Sequence, residues 1–349
     1  MEKFGITLPE NNLPIYIVGA GGIVKDAHLP AYALAGFEIK GIFDLNEAKA
    51  NGLAKKFGIL KAFASIKEMV AEANVSCVYD VAVPGRAVLE VLKQLPNEAN
   101  VLIQKPMGEN IAEAEKILEL CREKRLNAGI NFQLRYAPPV NEARRMIDEG
   151  SLGELIDIEI NVNVFTPWHL WDFLFTAERV EILYHSIHYL DLIRSFLGNP
   201  NAVMAKTIRH PKMKELASVR TSMILDYGDM IRANILTNHA HNFGLHNQQS
   251  YIKLEGTQGA IKINLGILMN YPEGVEDTFE YVVLEEGKDP NWLTKTIDGS
   301  WFPHAFIGSM SQIMRAASGE INQPDNSVED CIYTMEWVEQ AYRSSDSRS

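Results

Sequence analysis

The sequence predicts an α/β protein of two domains, and three observations support this prediction. The chain has 349 residues, more than one compact core usually holds. In residues 1–131, short apolar runs alternate with segments of helix length, a pattern typical of βαβ units and a parallel sheet. Residues 132–349 contain a series of strand-like runs and hold all five Trp and eight of the nine His. We therefore place the domain boundary after Asn131.

The first domain is predicted to consist of six strands separated by helices. The strands cover 15–18, 37–43, 60–63, 75–83, 101–104 and 128–132. The helices cover 23–35, 46–57, 86–95 and 111–124, with a further helix after Ser65. Asn46 and Ser65 are expected to cap their helices, with Glu68 in the capping-box position for Ser65.

The second domain is predicted to be richer in strands than in helices. Strands are expected over 156–165, 202–209, 219–227, 230–236 and 251–254. The segment from Asp226 to Asp229 has the composition of a hairpin turn between two of these strands. One helix is expected over 181–193.

Charge and cysteine content exclude several classes of function. Lys and Arg total 33 against 45 Asp and Glu, a net charge of −12, which argues against nucleic acid or a membrane surface as a partner. Residues 1–131 carry −1 (15 basic, 16 acidic) and residues 132–349 carry −11 (18 basic, 29 acidic). Three widely spaced Cys suit a reducing cytoplasm and give neither a disulfide framework nor a CxxC metal site. We expect no signal peptide, because the first residues lack an apolar h-region. We expect no membrane span either, because no apolar run approaches about 18 residues.

The turn after the first strand carries a phosphate-binding pattern. Its residues are Gly19, Ala20, Gly21, Gly22 and Ile23. Gly19 permits a tight turn, Gly21 lets a pyrophosphate approach the backbone, and the helix N-terminus supplies N–H donors. Val24 stands where a third small residue is expected, and an ordinary helix-opening turn is the alternative.

Asp44 strengthens the interpretation of this turn as a dinucleotide site. It ends the second strand, 23 residues after Gly21, near the spacing of about 20 residues expected of an acid that binds a ribose 2′-hydroxyl. Leu45 and Asn46 follow it, so a 2′-phosphate would meet a carboxylate and no cation. The sequence therefore predicts NAD rather than NADP as the cofactor.

Several motifs follow one another in order along nearly the whole chain. They are His28-Leu29-Pro30, Gln104-Lys105-Pro106, the segments 131–136 and 147–153, and the segment 254–259. Together they resemble the Gfo/Idh/MocA family of NAD(P)-dependent oxidoreductases, with Gln104 in place of the Glu of that family's Glu-Lys-Pro motif. The resemblance runs from about Pro14 to Ser344. It implies a Rossmann domain followed by an α+β domain with a large, mostly antiparallel sheet, whose open face forms homodimers or homotetramers.

Lys105 and His188 are the predicted catalytic residues. Lys105 follows a parallel strand, where ligands bind, and the resemblance implies that it polarises a substrate oxygen. A solvated lysine before a turn-forming proline is the alternative. His188 and Asp191 match the family's Asp, Gly, His, Asp pattern, whereas Tyr184 and Ser186 replace its first two residues. The resemblance implies that His188 transfers the proton; a helix histidine satisfied by its neighbours is the alternative.

An aromatic segment is predicted to face the substrate. Trp168, His169 and Trp171 lie where the resemblance implies a substrate loop, and indoles pack on the apolar faces of sugars. A hydrophobic plug is the equally weighted alternative. The complete predicted substrate set is Lys105, Asn131, Arg135, Trp168, His169, Trp171, Tyr184 and His188. The predicted cofactor set is Gly19, Ala20, Gly21, Gly22, Ile23, Asp44, Pro84 and Lys105.

The remaining histidines carry weaker predictions. His185 faces elsewhere on the 181–193 helix and is a minor catalytic candidate. His239, His241 and His246 suggest a metal site, but hydride transfer to NAD requires no metal, so we predict none. A carboxylate-rich stretch over 273–289 is expected to be a solvated edge.

The predicted function is an NAD-dependent dehydrogenase acting on the carbinol of a neutral sugar or polyol, in the cytoplasm. Oxidation of a cyclic aldose to a lactone is one form of this reaction. The first alternative is a glycosidase that uses NAD transiently, as relatives of the family do. The second is a non-catalytic NAD-sensing regulator on the same scaffold.

Overall fold

The structure is a computed structural model that describes residues 2–73 and 76–347. The chain divides into two compact units. Unit 1 comprises Met1–Ala137 and Phe302–Met335, and unit 2 comprises Pro138–Trp301 and Glu336–Ser349. The predicted strand over 75–83 begins at Val75, which lies outside the described residues.

Unit 1 is built on a six-stranded parallel sheet. Its strands, after a short hairpin of β1 (Glu2–Lys3) and β2 (Ile6–Thr7), are β3 (Ile15–Val18), β4 (Ile39–Phe43), β5 (Lys61–Ala62), β6 (Val78–Val81), β7 (Asn100–Ile103) and β8 (Asn127–Ile130). Its helices in this part of the chain are α1 (Leu29–Ala35), α2 (Glu47–Phe57), α3 (Ile66–Glu72), α4 (Gly85–Gln94) and α5 (Ile111–Glu123). The strand order β5-β4-β3-β6-β7-β8 reverses between β3 and β6. The predicted Rossmann fold is confirmed, and ligands of such sheets bind at this reversal, at the carboxyl ends of the strands.

The helix predicted over 23–35 is present, but its first turn is not α-helical. The segment Val24–His28 is π-helical, and the α-helical part begins only at Leu29. Pro30 has no N–H to donate to the carbonyl of Asp26, so a regular helical bond is missing where the wide turn occurs. The predicted caps are confirmed: Lys49 N donates to Asn46 Oδ1 (3.2 Å) and Glu68 N donates to Ser65 Oγ (3.1 Å).

Unit 2 is built on an eight-stranded mixed sheet in the order β10-β11-β12-β9-β13-β14-β15-β16. The strands are β9 (Leu155–Asn163), β10 (Ala202–Ile208), β11 (Arg220–Asp226), β12 (Arg232–Asn238), β13 (Gln249–Gly256), β14 (Gly259–Asn264), β15 (Thr278–Val283) and β16 (Leu293–Thr294). Its helices here are α6 (Pro138–Asp148) and α7 (Ile187–Leu197). β12 and β9 are parallel and the other neighbours are antiparallel, so the predicted mostly antiparallel sheet is confirmed. The predicted hairpin joins β11 to β12, with Gly228 at a positive φ of 85°.

Two helices complete the chain, α8 (Ala305–Ala317) and α9 (Val328–Asp346). Phe306, Met310 and Ile313 of α8 are fully buried in the same hydrophobic core as Ile15 and Ile17 of β3. Residues 302–335 therefore fold with unit 1, because the apolar face of α8 covers part of its sheet. The predicted single boundary after Asn131, with all later residues in one domain, differs from this discontinuous division.

The three cysteines, Cys77, Cys121 and Cys331, are buried free thiols. Burial raises the pKa of Cys77 to about 11 and that of Cys121 to about 12, so these thiols stay protonated near neutral pH. No helix among the described residues is long and apolar enough to cross a bilayer. A cytoplasmic location stays a prediction.

Candidate active site

The predicted cofactor residues of unit 1 lie at the carboxyl ends of four neighbouring strands. Gly19 directly follows β3, and Asp44 directly follows β4. Pro84 follows β6 as the residue before α4, and Lys105 follows β7. Since the carboxyl ends of parallel strands meet at one edge of a sheet, the structure brings these residues to the same edge.

The glycine turn leaves its backbone open to a ligand. Gly19 has φ 116°, and a Cβ at this position would lie 2.2 Å from the carbonyl oxygen of Ala82. At Gly21, by contrast, an ideal Cβ has no atom of the described residues within 4 Å. A pyrophosphate can therefore approach the main chain of Gly21 while Gly19 makes the tight turn. These residues fit a dinucleotide.

Asp44 fastens the glycine turn to the end of β4. One carboxylate oxygen accepts the N–H of Ala20 and the other accepts the N–H of Asn46, both at 2.7 Å. An ionised carboxylate has further lone pairs, so these two bonds leave room for ribose hydroxyls. Its negative charge disfavours a 2′-phosphate at the same place.

Lys105 is partly buried at the end of β7. Burial lowers the pKa of its ammonium group to about 8. The neighbouring Gln104 accepts a hydrogen bond from Asn131 Nδ2 at 2.8 Å, and this amide also lies 3.4 Å from His28 Nε2. Asn131, predicted as a substrate contact, is fully buried and supports the strand end that carries Lys105.

A buried polar network extends from this strand end into the sheet. His28 Nδ1 lies 2.7 Å from Asp80 Oδ2, and the Tyr32 hydroxyl donates to the same oxygen at 2.8 Å. Burial, and then the charge of Asp80, raise the pKa of Tyr32 well above its usual value, so its proton stays on the hydroxyl. Asp80 is not identifiable from the sequence, because an acid within an apolar strand gives no sign of its partner on another element.

Arg135 has partners within unit 1. Its guanidinium donates to the carbonyl oxygen of Asp325 at 2.7 Å and to Asp330 Oδ2 at 2.6 Å. The residue is 5% exposed. Both bonds hold the guanidinium within unit 1, which gives this predicted substrate contact a structural role.

His188 lies at the start of α7, on the same helical segment as Tyr184. His188 is 7% exposed, and the indole of Trp301 meets its ring edge-on with centroids 5.6 Å apart. Tyr184 packs edge-on against Phe173 at 5.4 Å. The turn that contains Tyr184, Ile182–Ser186, is π-helical, a geometry that is frequent at functional sites.

The aromatic segment divides into a buried and an accessible part. Trp168 is 4% exposed and packs edge-on against His185 at 5.0 Å and His239 at 5.7 Å, as the plug alternative predicts. His169 is exposed and Trp171 is half-buried, with its ring 5.7 Å from that of Tyr271. Among the aromatic side chains of this segment, Trp171 is therefore the better candidate for stacking on a sugar.

The three histidines that suggested a metal site have separate surroundings. His239 Nδ1 lies 2.9 Å from Thr166 Oγ1, and His241 Nδ1 lies 3.1 Å from Asn163 Nδ2. His246 is exposed on the short 3₁₀ turn Leu245–Asn247. Each of the three imidazole rings therefore has different surroundings among the described residues.

A parallel sheet with a glycine turn and a strand-end acid at its reversal defines a dinucleotide-binding protein of the Rossmann class. Comparison with protein families agrees, because residues 13–132 match the oxidoreductase family model with an NAD-binding Rossmann fold. Residues 140–262 match the GFO/IDH/MocA C-terminal domain. The chain belongs to the Gfo/Idh/MocA family of oxidoreductases.

Individual relatives include enzymes named for sugar substrates. D-xylose 1-dehydrogenase (NADP(+)) 2 of Haloferax volcanii is 21% identical over 95% of this chain and 97% of its own. Glucose-6-phosphate 3-dehydrogenase of Bacillus subtilis is 30% identical, over only 42% of this chain and 41% of its own. The solved structure of an oxidoreductase from Agrobacterium radiobacter, in complex with NAD+, L-tartaric acid and magnesium, shares the fold with a TM-score of 0.77. It is 19% identical, and the match covers 97% of this chain and 98% of that one.

Proposed function

We propose that the protein is an NAD-dependent dehydrogenase that oxidises a carbinol of a neutral sugar or polyol. One observation carries the proposal: a partly buried lysine lies at the same sheet edge as the open glycine turn and the strand-end acid. A dinucleotide site alone requires only the turn and Asp44. Lys105 adds a group that can stabilise negative charge on a reacting oxygen.

The residues divide the work of the reaction. Bound NAD supplies a nicotinamide ring that accepts hydride from the carbinol carbon. Residues 19–23 hold the pyrophosphate through backbone N–H groups, and Asp44 accepts hydrogen bonds from ribose hydroxyls. The Lys105 ammonium donates to the substrate oxygen and favours its alkoxide character, while His188 accepts the hydroxyl proton. With a cyclic aldose, oxidation at the anomeric carbon gives a lactone.

A neutral substrate agrees with the charges of the described residues. Arg135 is paired with Asp330, so its guanidinium does not serve an anionic substrate. Residues 132–349 carry −11. The half-buried Trp171 offers an aromatic surface for the apolar face of a sugar ring.

The test is a screen of the purified protein with NAD against aldoses, inositols and sugar acids. Turnover is monitored through the absorbance of NADH. We expect net NADH formation with a neutral sugar or polyol. Preference for a sugar acid or a sugar phosphate would contradict the neutral substrate. Hydrolysis of a glycoside without net NADH would replace the dehydrogenase with the glycosidase, and NAD binding without any turnover would favour the regulator.

We also propose that the protein forms a homodimer or homotetramer through the open face of the unit 2 sheet. Met204 on β10 and Ile224 on β11 are directly opposite each other and are 41% and 51% exposed. Leu236 on β12 extends this surface at 46% exposure. Adjacent apolar side chains of this kind mark interaction surfaces. Analytical ultracentrifugation of wild type and Ile224→Lys should show an oligomer that weakens in the variant; a monomeric wild type would refute the proposal.

A further inference from the structure

Glu181 is a fully buried carboxylate in unit 2 that the proposed reaction does not use. Ser186 Oγ donates to it at 2.8 Å, Thr221 Oγ1 donates to it as well, and His239 Nε2 lies 3.4 Å away. Burial alone would raise the pKa of Glu181, but the His239 imidazole and the two hydroxyl donors outweigh burial and lower it. A carboxylate that stays ionised in a protein interior depends on such partners, because an unpaired buried charge is strongly destabilising.

The first consequence concerns the helix that carries His188. Glu181 directly precedes the π-helical turn Ile182–Ser186, and Ser186, five residues later, is the last residue of that turn. Because the backbone hydrogen bonds of a π-helix span five residues, the side-chain bond from Ser186 to Glu181 runs across the same wide turn. Tyr184 lies within the turn and His188 follows two residues after it, so the orientation of both depends on this turn.

The second consequence concerns the aromatic segment. His239 lies between Glu181 and Thr166, with Nε2 toward the carboxylate and Nδ1 2.9 Å from the Thr166 hydroxyl. The ring of His239 also packs at a tilt against that of His185, with centroids 4.4 Å apart, and meets Trp168 edge-on at 5.7 Å. One imidazole therefore connects the buried carboxylate to the start of the segment that contains Trp171.

We propose that Glu181 and His239 are positioning residues, which hold the π-helical turn of Tyr184 and the Trp168 segment in one arrangement for the substrate. The carboxylate accepts hydrogen bonds from the hydroxyls of Ser186 and Thr221, and the His239 imidazole lies within ion-pair distance of it. A glutamine at this position keeps one acceptor and turns an N–H₂ group toward the remaining partners. His239 then meets a donor instead of an acceptor, unless its proton moves from Nε2 to Nδ1.

Histidine side-chain NMR tests this arrangement without turnover. In full-length protein labelled with ¹⁵N-histidine, we expect His239 of the wild type to carry a proton on Nε2. Glu181→Gln should change the His239 signals and shift those of His185 and His188 as well. Glu178→Gln, an exposed carboxylate on the same stretch of chain, should change none of them. Unchanged His185 and His188 signals in Glu181→Gln would overturn the proposal.

Kinetics with the substrate found in the screen give a second readout, and this readout rests on the proposed function. We expect Glu181→Gln and His239→Gln each to raise the substrate KM about tenfold, the loss typical of a bond to a charged group. The dissociation constant for NAD should stay at its wild-type value. The double variant should be no worse than either single variant, because the two residues act through one contact.

The possible failures can be told apart. A lower kcat at unchanged KM, or losses that add in the double variant, would reduce the two residues to ordinary structural support and overturn the positioning role. A wild-type protein that oxidises no carbinol contradicts the proposed function, and the histidine spectra then decide the positioning role by themselves.

Discussion

The two units assemble their candidate site residues in different ways. In unit 1, Gly19 and Asp44 lie at strand ends, and the proposed binding depends largely on backbone N–H groups and on a glycine with no room for a Cβ. In unit 2, His188 is held by side chains, with Trp301 against its ring and the buried Glu181 closing the turn before it. A site made of backbone tolerates changes in side chains that leave the turn intact. A site made of side-chain contacts depends on each partner.

The largest effect is expected in unit 2, at His188. His188→Asn removes the proposed proton acceptor, so kcat should fall by about 10² to 10⁴, the range of general acid–base catalysis. NAD binding should not change, since the cofactor residues belong to unit 1. The exposed His246→Asn is the matched control and should keep wild-type kinetics. Turnover within a few-fold of wild type in His188→Asn would remove this residue from the mechanism.

The glycine turn allows a comparison of two alanine variants in unit 1. Gly19 and Gly36 both have positive φ, but a Cβ at Gly19 meets the Ala82 carbonyl at 2.2 Å, whereas one at Gly36 meets no described atom within 4 Å. Gly36→Ala should lower the free energy of unfolding by about 1 kcal/mol through backbone strain alone. Gly19→Ala should cost about 1–3 kcal/mol more and weaken NAD binding. Thermal unfolding and NAD titration measure both; equal losses in the two variants would show that the contact with Ala82 relaxes.

The pH dependence of the rate tests Lys105. Burial lowers the pKa of this group to about 8, and polarisation of the substrate oxygen requires the charged form. The ammonium is present below this pKa and is lost above it, so kcat/KM should fall about tenfold for each pH unit above about 8. Lys105→Arg keeps its charge, and its lower activity should show no such fall. A wild-type profile that stays level or rises through this range would contradict the polarising role.

The smallest effect is expected for the choice of cofactor. Asp44→Asn keeps the size of the side chain and one acceptor oxygen but removes the charge. We expect NAD to bind several-fold to about tenfold more weakly, because hydrogen bonds to a charged group are lost, and the preference over NADP to shrink correspondingly. Titration of both dinucleotides measures this ratio. Tighter binding of NADP than NAD by the wild type would refute the role of Asp44.

The sequence predicted unit 1 better than unit 2 for a physical reason. The position of Gly19 and Asp44 follows from local pattern, since each directly follows an apolar strand of a parallel sheet. Glu181 and His239, by contrast, lie far apart in the chain and meet only through the folded structure. Periodicity reports which face of an element is buried, but it does not report which polar groups meet inside.

For the same reason, the sequence did not reveal that two predicted substrate contacts pair with other side chains of the protein. Arg135 and Asn131 follow the last strand of the first domain, which suggested a role toward the substrate. The structure pairs Arg135 with Asp330 from the C-terminal part of unit 1, and Asn131 with Gln104. Neither partner is identifiable from the local sequence.

The return of residues 302–335 to unit 1 affects how the chain folds during synthesis. The sheet of unit 1 is complete in sequence by Ala137, yet the apolar residues of α8 that cover part of it emerge only after Phe302. At about 5–20 residues per second, a ribosome needs roughly ten to thirty seconds to make the intervening chain. During this interval the nascent sheet exposes an apolar surface. The late segment that carries α8 is therefore the part of the chain whose burial removes this apolar surface from water.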